Sequence, residues 1–85
     1  MKEKHYLVVG CWNIGGNIET EVYNLSHNKE EIQKAFNEQV LNDKDFIDCK
    51  NCLGANWEII VDEDYWFEAE DETRGEKIIT KIEII

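Results

Sequence analysis

The chain has 85 residues, a formal net charge of −10, 42% hydrophobic and 11% aromatic residues, and no proline. At this length one domain (residues 1–85) with one modest core is expected, since such a chain buries only about 60–65% of its unfolded surface. The charge opposes nucleic acid and membrane surfaces, whose phosphates repel it, and favours basic proteins as partners.

Residues 4–12, "KHYLVVGCW", read as a strand apolar on both faces, with Tyr6, Val8 and Trp12 on one and Leu7, Val9 and Cys11 on the other. Such a strand belongs inside a sheet. The opening run carries Tyr, Cys and Trp with no small-residue cleavage site after it, so it reads as a strand and not as a signal peptide. "NIGGN" at 13–17 is a turn, and "IETEVYNL" at 18–25 alternates as a second, antiparallel strand.

Asn28 followed by Glu31 has capping-box spacing. Ile32, Ala35, Phe36 and Val40 then make one apolar stripe, which predicts a helix over 29–41. Residues 42–56 lose the period and read as a long loop anchored by Phe46, Ile47 and Leu53. Three strands follow, "WEIIVD" at 57–62, "YWFEAE" at 65–70 and "KIITKIEII" at 77–85. The expected fold class is α+β in the order ββαβββ, a mainly antiparallel twisted sheet of about five strands with one helix packed on one face. The last strand has isoleucines on both faces. It is either central or covered by a second copy, and the second case implies a homodimer.

Two cysteines in "CKNC", Cys49 and Cys52, have the spacing of a zinc-gripping turn. A closed site needs four ligands, and His27, His5 and Cys11 are the other soft or borderline donors. His5 and Cys11 stand about 20 Å apart along one strand, so both cannot serve. A zinc-binding domain is therefore the alternative reading, and no cofactor is the main one. Three cysteines, an odd number, suit a reducing cytoplasm better than a disulfide framework. The glycines of "GCWNIGGN" lack the lysine and hydroxyl residue of a phosphate loop. Catalysis by the carboxylates would require one of them in an apolar cleft, and the sequence places them on strand faces and turns. A non-enzymatic role is expected.

The densest feature is acidic. Residues 58–72 hold eight acids: Glu58, Asp62, Glu63, Asp64, Glu68, Glu70, Asp71 and Glu72. Strand alternation puts Trp57, Ile59, Val61, Tyr65, Phe67 and Ala69 under the helix. Glu58, Asp62, Trp66, Glu68 and Glu70 then share the opposite face, which Glu19, Glu21 and Tyr23 of the second strand extend. An exposed aromatic ringed by charge is the form of a binding hot spot with a polar rim. The expected partner is a basic protein, or the basic groove of a nucleic-acid-binding protein, which spaced carboxylates would occupy as a line of phosphates does. In length and charge the chain resembles small acidic phage-encoded inhibitors of host defence, a likeness resting on no motif.

Overall fold

The first hairpin forms where the alternation and the glycine pair place it. In the computed structural model, which describes residues 4–85, strands β1 (Tyr6–Ile14) and β2 (Asn17–Ser26) pair antiparallel. Gly15 and Gly16 join them with φ of 63° and 83°, and positive φ at both central residues is what a type I′ hairpin turn needs.

Helix α1 (Lys29–Cys52) starts as expected, with the Asn28 side chain accepting from the backbone N–H groups of Glu30 (2.9 Å) and Glu31 (3.2 Å). The Glu31 carboxylate accepts from Ser26 Oγ at 2.8 Å, and that oxygen accepts from the Asn28 N–H at 3.0 Å. Ser26 thus relays the second half of the cap. The helix does not stop at residue 41. It runs on through the expected loop to Cys52, for 24 residues in all. Its buried stripe is Ile32, Phe36, Val40, Asp43 and Ile47, one helical face throughout. An aspartate at one stripe position breaks the apolar period, and the sequence pattern ends there. The true stop is a Schellman motif. Gly54, at φ 88°, donates to the Asn51 carbonyl, and Ala55 donates to the Lys50 carbonyl.

Strands β3 (Glu58–Asp62), β4 (Trp66–Asp71) and β5 (Glu76–Ile84) complete one antiparallel sheet of order β2-β1-β5-β4-β3. The last strand in chain order is the central one. It is therefore no edge; Ile78 is buried, while Ile84 and Ile85 at its end are 62% and 71% exposed. At its end Ile85 and His5 exchange backbone hydrogen bonds of 2.8 and 3.5 Å. The molecule is a thin slab, 16 Å in its least dimension, which admits a sheet and one helical layer.

Val8, Ile32, Phe36, Phe67, Ala69 and Ile78 are buried between helix and sheet. Phe67 and Ala69 thus lie under the helix as the alternation predicts, and Trp57 is buried beside them. Ile59, Val61 and Tyr65 depart from it. Ile59 is 48% exposed, on an edge strand beyond the helix, and Tyr65 is 57% exposed in the connection just before β4. Val61 pairs with Glu68 and so faces away from the helix, because the register slips at Ile60. A one-residue bulge inverts every later side chain on its strand.

These placements separate Phe67 of β4 from Tyr65 just before it. Phe67→Ala should destabilise the fold by roughly 3–5 kcal/mol, as large core truncations do. Tyr65→Ala should cost under about 1 kcal/mol, as exposed substitutions do. Denaturant unfolding of the two variants measures the difference, and equal losses would contradict the observed packing.

Candidate functional site

The face of the sheet away from α1 collects four of the residues expected there. Paired residues on antiparallel strands share a face. Trp66 pairs with Lys81, Glu68 with Ile79, Glu70 with both Lys77 and Glu58. Glu58, Trp66, Glu68 and Glu70 therefore form one contiguous open surface. The Trp66 indole N–H donates to Glu68 at 3.2 Å, and Lys81 Nζ lies 5.2 Å above the ring centroid. Lys77 Nζ sits 3.5 Å from a Glu68 oxygen and 3.9 Å from a Glu70 oxygen.

Those two lysines are what the alternation argument overlooked. Lys77 and Lys81 stand four residues apart on β5, an even spacing that puts both on the open face. They interrupt the carboxylate row. Glu58 still stands directly opposite Glu70, a like-charge pairing that costs stability.

Asp62 and Tyr23 are not on this surface. Beyond the bulge at Ile60, Asp62 pairs with Phe67 and faces α1, where its carboxylate lies 2.9 Å from Lys44 Nζ. Tyr23 sits at a second bulge, between the Val9–Val22 and Val8–Asn24 pairs. Its ring lies over Gly10, where an added Cβ would approach the ring to 2.4 Å. Gly10 is mid-strand for this reason, to let an aromatic ring rest on the backbone. Glu21 pairs with Gly10 and Glu19 with Trp12, so both acids also face the helix side. The open face of β2 instead carries Ile18, Val22 and Leu25, which are 74%, 55% and 57% exposed.

Cys49 and Cys52 lie on the last two turns of α1, three residues apart on one side, and both are exposed. His27 precedes the first turn of the same helix. A 24-residue helix is about 36 Å long, so His27 and the cysteine pair cannot share one ion within a chain. Among the described residues no three His, Cys, Asp or Glu side chains converge as a metal site. His27 stacks edge-on with His5, ring centroids 6.2 Å apart.

Asp43 is the one residue of functional character that breaks the helix stripe, and its interruption of the period is the signal that marks it. It is 7% exposed and accepts from Thr80 Oγ1 on β5 and, at 3.0 Å, from Gln39 Nε2. Burial pushes its carboxyl above the ordinary value of 3.8, and the two hydrogen bonds oppose the shift. Burial, and then the charges of Asp43 and Glu21, push the Tyr23 hydroxyl up to about 12, so it remains a donor at neutral pH. Asp71 behaves oppositely. Hydrogen bonds from Thr73 Oγ1 and the N–H groups of Asn56 and Arg74 hold its carboxyl below 3.8, and they fasten the β4–β5 turn to the loop after α1.

A raised carboxyl binds protons more readily in the folded state. Its contribution therefore falls as pH rises from the ordinary carboxylate range through the raised native value. Asp43→Asn should melt at a higher temperature than the parent at pH 7, and the gain should shrink as pH is lowered towards the ordinary carboxylate value of 3.8. Asp71→Asn should do the reverse, losing stability at pH 7 and converging with the parent only in strong acid. Thermal melts across pH measure both. The double substitution Cys49→Ser, Cys52→Ser should leave the stability within about 0.5 kcal/mol of the parent's, as surface changes do. Unfolding of the parent by a chelator would instead show a structural zinc.

No protein-family model, curated protein or solved structure matches the chain, so its function is argued from these surfaces alone.

Proposed function

We propose that the protein is a non-enzymatic, acidic interaction protein that binds a basic protein partner across the open face of its sheet. The observation that carries the reading is the composition of that face. Over β2 and β1 it is apolar, with Ile18, Val22 and Leu25 exposed around Val9. Over β4 and β3 it carries Trp66, Glu68, Glu70 and Glu58. An uncovered apolar patch beside an aromatic with a charged rim is the anatomy of a protein interface.

Charge supplies the chemistry of the occupant. The net charge of −10 steers basic surfaces to the molecule, and the Glu58–Glu70 repulsion is relieved when a cation arrives between them. The basic groove of a nucleic-acid-binding protein has the matching sign, and its occupancy would exclude nucleic acid as an inhibitor of phage type does. Lys77 and Lys81 break the carboxylate line, so the face supports protein docking anchored on Trp66 and the apolar strip more than an imitation of evenly spaced phosphates. Three unpaired thiols suit a reducing compartment, and the cytoplasm is the proposed location. No helix is long and apolar enough to cross a membrane among the described residues.

The test compares proteins retained from source-cell extract by the parent, by Trp66→Ala, by Val22→Glu, and by Glu68→Lys with Glu70→Lys, followed by titration of the purified partner. A basic protein held by the parent should be lost from all three variants. Trp66→Ala should weaken its binding by at least about 2 kcal/mol, and the double lysine change should flatten its salt dependence. Melting should change little in any variant, since these side chains point away from the core. An acidic partner, or identical retention by parent and variants, refutes the reading.

A further inference from the structure

The helix side of the sheet holds a second feature, independent of the open face. Between α1 and the first hairpin lies a cleft of about 240 Å³ lined by Trp12, Tyr23, Phe46, Gln39, Asn42 and Asp43. Its size suits a fragment or one long side chain, below the volume of drug-sized pockets. The Trp12 and Tyr23 rings lie 6.4 Å apart, centroid to centroid, and only 14° from parallel. Both sit on the helix side of the hairpin, Tyr23 flat over Gly10 and Trp12 two residues further along β1. Together they line the hairpin side of the cleft, and Phe46 lines its helix side.

The acidic end of the cleft is Asp43. The residue is 7% exposed, and its carboxylate accepts from two neutral donors, Thr80 and Gln39. Among the described residues no cation lies within ion-pair distance of it; Lys44, the next residue of α1, pairs instead with Asp62 of β3. A buried ionised carboxylate without a cation is costly, and an apolar residue at this stripe position would serve packing better. Two further acids on β2 stand near the aromatic pair outside the cleft lining: Glu21, whose charge acts on Tyr23, and Glu19, which accepts from the Trp12 indole N–H at 3.1 Å.

We propose that this cleft binds a guanidinium group, which stacks on the Trp12 and Tyr23 rings and donates to the Asp43 carboxylate. A planar guanidinium satisfies both walls at once: its faces are weakly hydrated and pack on aromatic rings, and its edge N–H groups match a carboxylate. An ammonium matches the carboxylate but not the flat wall. A neutral aromatic matches the wall and leaves the carboxylate uncompensated. The guanidinium can come from a free compound or from an arginine of a partner protein, and the two sources are separable.

The protein offers its own reporter, because the indole N–H resonances of Trp12, Trp57 and Trp66 are distinct probes of the cleft, the core and the open face. Titration of isotope-labelled protein with N-acetyl-arginine amide should shift the Trp12 indole and the Gln39 and Asn42 side-chain amides to saturation, leaving Trp66 unmoved. The citrulline amide, of the same shape without the charge, should bind at least about tenfold more weakly, as should the lysine amide. Asp43→Asn should cost the arginine amide a similar factor. Methylguanidinium binding as tightly as an arginine tripeptide assigns the site to free guanidinium compounds, and tighter binding of the tripeptide assigns it to a protein's arginine; either supports the site. Equal binding of arginine and citrulline amides, shifts confined to Trp66, or no saturable shift overturns it. The comparison of the two amides is made on the parent protein and stands even if a variant fails to fold.

Discussion

One helix cannot cover this sheet. Five strands about 4.8 Å apart span roughly 19 Å, and a helix with its side chains is about 10–12 Å across. One face is left bare entirely, and the covered face is left bare at both flanks. Ile59 of the edge strand β3 stays half exposed on one flank. On the other, Trp12 and Tyr23 floor a cleft instead of a core. The stripe from Ile32 to Ile47 therefore decides not only what is buried but which surfaces remain for anything else to touch.

Much of the architecture is legible in the residue order. The glycine pair, the strand alternation, the Asn28 cap and the stripe from Ile32 to Val40 each correspond to a single local rule, and each element stands where its rule puts it. What was not legible has two causes. A buried polar residue, Asp43, carries the helix stripe forward while appearing to end it, so residues 42–52 of the helix read as a loop. Its partner Thr80 lies 37 residues away, and no local pattern contains it. Gly54 followed by Ala55 is the helix stop, a cue that becomes readable only when the helix is allowed to run that far.

The second cause is the bulge. Alternation assigns faces only while the count stays even, and β2 and β3 each contain one extra residue, Tyr23 and Ile60. The extra residue in β3 carries Asp62 from the acidic face to Lys44 on the helix side. On β2 the face assignment was reversed outright: Glu19 and Glu21 go with Trp12 and Gly10, and the exposed apolar residues go to the open face. The acidic surface is thus smaller, and more closely joined to apolar surface, than the sequence alone suggests.

The strand order also bears on how the chain assembles. β1 pairs with β2 and β3 with β4 through short connections, so each pair closes a loop of a few residues. Between the two pairs there is no strand contact except through β5, which enters the middle of the sheet last in chain order. The hydrogen bonds between His5 and Ile85 are the longest-range consequence. A nascent chain that has reached only β4 holds two half-sheets whose inner edges both lack a neighbour, and those edges are templates for any foreign strand. Completing this sheet requires one insertion, of β5 between β1 and β4, and both of those edges are open until it is made.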